Sequence, residues 1–334
     1  MLNEKDRPGF GECTGCRVCT LPCPVWRQTN DMSLTLFGRA RALQAGATPE
    51  DLRQSIMACV LCGACEPACP VGIDTVGMTI HLRSMLADMK ALPLPPNLSP
   101  DNHSVPIQEP LSPGKGDSVF LPGQAFQKNR SILKKTRLLL EKNNTLSVME
   151  NMGPDIGIIL EAGLQPDRKY KDTILRSLKD AKELIITEGI LYRYLRAWLP
   201  RSKVIHLGEA LLRIEEIRNN LKSTDLYVID TRAFHADHSR LVGVYDRLRQ
   251  EVGCVMNMDL QRIATPTGVR GLRIGYNRGM VSPSEQARWI LDGYRMDRIV
   301  IEDLEDMEVF RHSTKHKVIH ISELAVDKLT QAPC

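Results

Sequence analysis

The sequence predicts two structural parts: a small cysteine-rich domain over residues 1–92 and a larger α/β domain of two similar halves over residues 118–334. Three observations lead there. Eight of the ten cysteines lie between positions 13 and 69, and none lies between 70 and 253. Seven of the twenty prolines fall between 93 and 113, in a stretch without sustained hydrophobic period, which marks 93–117 as a linker. Beyond it, short β-branched runs alternate with amphipathic stretches, the pattern of an α/β domain with a mostly parallel sheet.

Composition narrows the classes further. A chain of 334 residues can hold two domains that each bury a core, and 43% hydrophobic with 25% charged residues excludes wholesale disorder. Forty-four basic residues against forty acidic ones leave a net charge of +4, too balanced to imply nucleic acid. No segment approaches the roughly 18 apolar residues of a membrane span. The opening residues Met1 to Pro8 carry neither an apolar secretory stretch nor a twin-arginine signal, so the expected location is the cytoplasm.

Taken in order, residues 49–57 read as a helix, and Met78, Leu82, Met85 and Met89 lie at helical spacing, a stripe suited to a core or a subunit interface. Candidate strands are 119–121, 146–149, 184–187, 203–206, 226–230, 255–258, 272–276, 299–302 and 317–320. Helices fit between them. The one at 282–291 opens on Ser282, Pro283 and Ser284 with Glu285 in its first turn. A repeat underlies the two halves: Ile185, Glu188, Lys203, Val204, Ile205, His206 and Glu209 recur 114 residues later as Ile299, Glu302, Lys317, Val318, Ile319, His320 and Glu323.

The cysteines form two identical patterns. Cys13, Cys16, Cys19 and Cys23 precede Pro24, and Cys59, Cys62, Cys65 and Cys69 precede Pro70. Both read C-x2-C-x2-C-x3-C-P, the bacterial-ferredoxin spacing for a [4Fe–4S] cluster. Three thiolates on a tight loop reach three corners of one cubane, and the fourth, turned away by proline, reaches the other cluster. The expected sets are Cys13, Cys16, Cys19 and Cys69 for one cluster and Cys59, Cys62, Cys65 and Cys23 for the other. Gly15, Gly63 and Ala64 leave room for N–H groups to point at sulfur. Structural zinc favours separated C-x2-C pairs, and the three-cysteine radical-SAM loop is absent.

Together with Gly38-Arg39-Ala40-Arg41 and the tail Pro70-Val71-Gly72-Ile73-Asp74, these runs resemble the α-helical two-cluster ferredoxin domain of the heterodisulfide reductase family. The iron–sulfur subunits of anaerobic glycerol-3-phosphate dehydrogenase, glycolate oxidase and lactate-utilisation systems are similar. In several relatives this domain is fused to, or partnered by, a domain of two cysteine-rich CCG repeats. The downstream segment resembles that domain in outline: Phe120-Leu121-Pro122-Gly123 and Met152-Gly153-Pro154 in a first repeat, then Val228-Ile229-Asp230, His235, Gly243 to Arg249 and Thr265 to Gly268 in a second. The thiols the resemblance calls for are missing. Gln124, Asn151, Met152 and Glu188 to Tyr192 stand in their places, followed by Ala233, Ala264 to Pro266 and Glu302 to Leu304. A noncubane cluster held by cysteine sulfur is therefore not expected there.

Other candidates are weaker. Cys254, at the start of a predicted strand, reads as a small buried hydrophobe, and Cys334 as an incidental thiol. His235, Asp237 and His238 could ligate a metal but more commonly sit in solvated loops; Lys134, Lys135 and Arg137 read as a solvated helix face. Neither a dinucleotide-binding glycine motif nor a P-loop is present.

The expectation is a non-catalytic electron-transfer subunit with two [4Fe–4S] clusters in a heterodisulfide-reductase-like complex, partnered by a flavoprotein or a CCG-domain subunit. It binds no nucleic acid and touches a membrane only through partners. The alternatives are an iron–sulfur subunit of a quinone-linked 2-hydroxy acid or glycerol-3-phosphate dehydrogenase, a thiol/disulfide oxidoreductase using Cys254, and an iron–sulfur sensor of oxidants.

Overall fold

The computed structural model describes residues 9–92, 118–143, 146–148, 156–259, 262–276 and 279–325. The expected linker, Asn151, Met152, the neighbouring Gly153 and Pro154, and Cys334 lie outside these residues. Before the linker, short helices at Pro24–Thr29, Leu36–Gln44, Arg53–Ala58, Cys65–Ala68 and Thr75–Asp88 wind around the two cysteine runs. Their starts follow from sequence. Pro24 occupies the first helical position, and the Thr35 hydroxyl and Asp74 carboxylate accept from the N–H groups of Gly38 and Gly77 at 3.3 and 3.0 Å.

The helix expected over 49–57 begins only at Arg53. Asp51, which could have capped it, accepts instead from Thr48 N–H and hydroxyl at 2.9 and 2.7 Å, so residues 48–52 close as turns. The methionine stripe on Thr75–Asp88 and the residue after it divides: Leu82 is buried, while Met85 and Met89 are exposed.

After the linker, strands β1 (Ser118–Leu121), β2 (Leu146–Val148), β3 (Glu183–Ile186) and β4 (Lys203–His206) form one sheet. Strands β5 (Asp225–Val228), β6 (Val255–Met256), β9 (Arg298–Ile301) and β10 (Lys317–His320) form another, and β7 (Met258–Asp259) pairs with β8 (Ile263–Ala264) as a small hairpin. All ladders of the two larger sheets are parallel, and both sheets run in the order second, first, third, fourth strand. Helices complete the crossovers. The first sheet divides its side chains by alternation: Phe120, Ile185 and Ile205 enter a core shared with the second sheet, whereas Val119, Leu121, Leu184, Ile186 and Val204 face the opposite core.

Register refines the repeat. The β3–β4 ladder pairs Glu183 with Lys203, whereas β9–β10 pairs Arg298 with Lys317, so third strands correspond at an offset of 115 and fourth strands at 114. The Lys-Val-Ile-His identities and Glu209/Glu323 keep their equivalence. Glu188, however, precedes its helix as Asp303 does, not as Glu302 does.

Two expected strands are corrected. Residues 272–276 form no strand: a 3-10 turn at Val269–Leu272 leads into further turns, with Gly268 and Gly275 at positive φ. Arg270 and Arg273 are drawn into buried ion pairs, and Gly271 packs so closely on Val60 that an added Cβ would lie 2.6 Å from it. The strand expected over 255–258 breaks at Asn257, whose amide accepts from Ile229 N–H at 2.8 Å and donates to Thr265 at 3.1 Å.

The two parts of the chain share cores. Leu61, Val76 and Ile80 pack beneath the first sheet, and Ile158, Ile159, Ile274 and Tyr276 complete the core of the cysteine-rich part. Buried charges cross the same boundary. Arg232 grips Glu161 with two hydrogen bonds of 3.0 and 2.8 Å and donates to the Val60 carbonyl at 2.7 Å; Arg193 pairs with Glu66 and Asp74 at 2.5 and 2.8 Å.

Glu161→Gln leaves Arg232 buried without its carboxylate, so a loss of about 3–5 kcal/mol is expected in denaturant unfolding. A second expectation concerns pH. His320 donates from Nε2 to the Glu302 carbonyl at 3.1 Å and accepts at Nδ1 from Ser322, and burial holds it neutral, down to about 3 from 6.5. A depressed histidine contributes its stability in full above its unfolded value and loses it as pH falls toward the folded one. Between pH 8 and pH 5.5 His320→Gln should therefore lose less stability than the wild type, by on the order of 1 kcal/mol, the remainder coming from other depressed histidines such as His235.

Candidate metal centre

Both cysteine loops follow one winding. Gly15 and Arg17 take φ of 79° and 66°, and Leu61 and Gly63 take 53° and 75°. These are the second and fourth residues after the first cysteine of each run. Left-handed residues at such spacing turn successive N–H groups to one concave side, a nest for an anion. Leu61 adopts this conformation at a cost of roughly 1–2 kcal/mol. The N–H groups of Leu61 and Ala64 donate to the sulfurs of Cys59 and Cys62, and those of Val25 and Trp26 to that of Cys23.

The loops enclose two cavities. One of about 360 Å³ is bounded by Cys13, Cys16, Cys19 and Cys69 with Leu36, Phe37, Ala40, Val71 and Ile73. The other, of about 460 Å³, is bounded by Cys59, Cys62, Cys65 and Cys23, with Cys19 at the shared wall and Val25, Leu34 and Arg39 around it. The smaller cavity thus meets three cysteines of the first run and the last of the second, and the larger meets three of the second run with both Cys19 and Cys23 of the first.

The donors suit a cluster of several metal atoms. Among the described residues no three His, Cys, Asp or Glu side chains converge on a point fit for a single ion, whereas the thiols surround spaces. Burial pushes the Cys19 and Cys62 thiols up to about 12 and Cys65 well above its ordinary value. Metal must therefore displace protons here. Burial opposes ionisation of Cys59 as well, but the Arg39 and Arg83 charges and the Leu61 N–H outweigh it and hold that thiol below its ordinary value.

Arg39 supplies the strongest test of fit. It is 2% exposed, lines the larger cavity, and donates to the Ser55 carbonyl at 2.6 Å and to the Thr79 hydroxyl at 3.4 Å. Among the described residues no carboxylate pairs with it, and its Nε has no hydrogen-bond partner. A buried guanidinium without a counter-charge is costly, and a cubane held by four thiolates, a net anion, would supply one.

Residues 9–73 match the 4Fe-4S dicluster domain model. That match covers the cysteine loops and supports an iron–sulfur, ferredoxin-type role in electron transfer for this segment. No curated protein matches the chain. The iron–sulfur character of this segment thus rests on the spacing, the cavities and the family model together.

The remaining candidates lie elsewhere and do other work. His235, 3% exposed, places Nδ1 2.8 Å from the Cys62 carbonyl; Asp237 pairs with Arg196 and Arg240 at 2.9 and 2.6 Å; His238 contacts the Arg262 carbonyl at 3.3 Å. Cys254 is buried in the core, its thiol pushed up to about 11 by burial and by Asp225. Where the resemblance calls for thiols, Glu188 pairs with Arg273 at 2.8 Å and Asp303 with Arg270, while Ala233 and Ala264 are simply packed. Sequence reasoning missed Arg17 and Leu61 as left-handed residues and Arg39, Arg83 and Arg232 as partners of the loops. Only the arginine in Gly38-Arg39-Ala40-Arg41 left a trace in the motif.

Gly63 cannot carry a side chain: a Cβ would lie 2.9 Å from the His235 Cβ, and its φ is left-handed besides. Gly63→Ala is expected to retain less iron after anaerobic reconstitution, followed by iron analysis and visible absorption. Gly11→Ala, which points into open space, should retain the wild-type amount.

Proposed function

We propose that this chain is a non-catalytic electron-transfer subunit of a heterodisulfide-reductase-like oxidoreductase complex. Cys13, Cys16, Cys19 and Cys69 hold one [4Fe–4S] cluster, and Cys59, Cys62, Cys65 and Cys23 hold the second. When bound, such clusters accept and release single electrons. The observation that carries the reading is the pair of cavities with crossed cysteine sets.

The chain's own residues divide the remaining work. The exposed Cys16 lies where a partner's redox group can approach, and the buried Cys62 lies against the α/β part. The two parallel sheets, with equal strand order and no thiol at the described CCG positions, support a degenerate CCG-type domain acting as a docking scaffold. Arg193 and Arg232 tie that scaffold to the second cysteine loop. No helix of the described residues is long and apolar enough to cross a membrane.

Anaerobic purification of the full chain is expected to give about eight irons per chain and a spectrum of two four-iron clusters. Crossed ligation makes a specific demand: Cys23→Ser should impair the cluster of the Cys59 loop and Cys69→Ser that of the Cys13 loop. Zinc alone, or each serine variant damaging the cluster of its own run, contradicts the assignment. Co-purification from the native source should bring down a flavoprotein or a CCG-domain protein.

A further inference from the structure

We propose that Arg39 is the counter-charge of the iron–sulfur group held by Cys23, Cys59, Cys62 and Cys65, and that it raises this group's reduction potential. The proposal rests on the two-cluster reading above.

Arg39 belongs to the helix Leu36–Gln44 between the cysteine runs and lines the cavity of that group. Apart from the sulfur of Cys59, one of the group's own ligands, its hydrogen bonds go to neutral acceptors: the carbonyls of Leu34 and Ser55 and the hydroxyls of Ser55 and Thr79. None of these requires a positive charge. An uncharged amide could serve the same acceptors without the desolvation cost of a guanidinium. The charge therefore needs an anion, and the described residues offer Arg39 no carboxylate.

Reduction adds one negative charge to a thiolate-ligated cubane, so a fixed positive charge beside it favours the reduced form. Burial acts in the opposite direction, because it penalises the more highly charged state. Arg83 stands on the same side as Arg39, donating to the Cys59 carbonyl at 2.7 Å, but the Glu161 region partly offsets its charge. Arg232 is already paired with Glu161. Of the three, Arg39 is the one that lines the cavity itself.

The other loop is built differently. Cys16 is exposed, and Arg17 and Arg41 beside it are exposed too, so water and salt screen their charges. Arg41 is accordingly the control: it is two residues from Arg39 and basic, but in solvent.

The test is an EPR-monitored redox titration of the full chain loaded anaerobically, with dithionite as the one-electron reductant. Cys16→Ser marks which signal belongs to the exposed group. Arg39→Gln is expected to shift the midpoint of the other group to lower potential and to leave the marked one in place. Arg39→Lys, which keeps the charge, should stay near wild type, and Arg41→Gln should move neither midpoint. An unshifted midpoint in fully loaded Arg39→Gln overturns the proposal, as does an Arg39→Lys shift as large as that of Arg39→Gln. If Arg39→Gln does not hold the group, Arg39→Lys decides alone: a midpoint near wild type supports the charge role, and a lowered one overturns it. A wild-type chain that loads only one cluster overturns the two-cluster reading itself, an outcome visible in iron content before any titration.

Discussion

The carboxylate of Glu161 is the constraint on which the arrangement of the second cysteine loop depends. A loop that turns its N–H groups inward toward a cavity presents carbonyls outward, and buried carbonyls need donors. Here Arg83 donates to Ile56 and Cys59 at 3.3 and 2.7 Å, and Arg232 donates to Val60 at 2.7 Å. Each guanidinium is buried and needs an anion in turn. Glu161, fully buried, meets Arg232 through both oxygens, Arg273 at 2.9 Å, and Arg83 through its own backbone carbonyl at 2.6 Å. These arginines hold its carboxyl below the usual range although burial pushes the other way. Gly163, two residues on, lets the chain lie directly against the Arg83 backbone, where a Cβ would come within 2.5 Å.

The first cysteine loop has no such dependence. Its outward carbonyls at Phe10, Gly11 and Cys13 are gathered by one neutral side chain, Gln44, at 3.3, 2.8 and 2.9 Å, from a helix of the same segment. The two loops share a winding and differ in support: one is held locally and open to solvent at Cys16, the other is held by charges from across the molecule. Identical ligand spacing therefore produces two unlike environments, and much of the difference lies in residues outside the motif.

This explains which features were legible in the sequence. The eight cysteines, the prolines that follow them and the short β-branched strands are local signals, and local geometry follows from them. Two strands match their expected bounds at Lys203–His206 and Lys317–His320, because Lys-Val-Ile-His is apolar where both faces of the sheet are covered. Residues 272–276 carry an alternating pattern, yet Arg270 and Arg273 answer to Glu188, Asp303 and Glu161, partners far away in sequence, and the segment folds as turns. The one-residue change of offset between the third and fourth strands was hidden for a similar reason: Ile299 matches Ile185 by identity, but ladder register equates Arg298 with Glu183. Pairing is settled between strands, where a linear comparison has no view.

The ends of the strands carry the argument about the α/β part. In open parallel sheets ligands usually enter at the carboxyl ends of the strands. Here the residues that follow β3, β4, β5 and β9 are Glu188, His206 as the last residue of its strand, Asp230, Glu302 and Asp303, and all are buried. Arg270 reaches Glu188 at 3.3 Å, Asp230 at 3.5 Å and Asp303, joining the ends of both sheets, and His206 meets Asp230 at 3.2 Å across the same boundary. What space remains, about 250 Å³, is closed on its far side by Val60 and Cys62 of the second cysteine loop. The crevice where a sheet of this kind would take a ligand is thus filled by its own ion pairs and by the dicluster segment. Such a network contributes little net stability, since desolvation offsets most of its attraction. Its effect is geometric: it fixes the two sheets and the Cys59 loop as one arrangement.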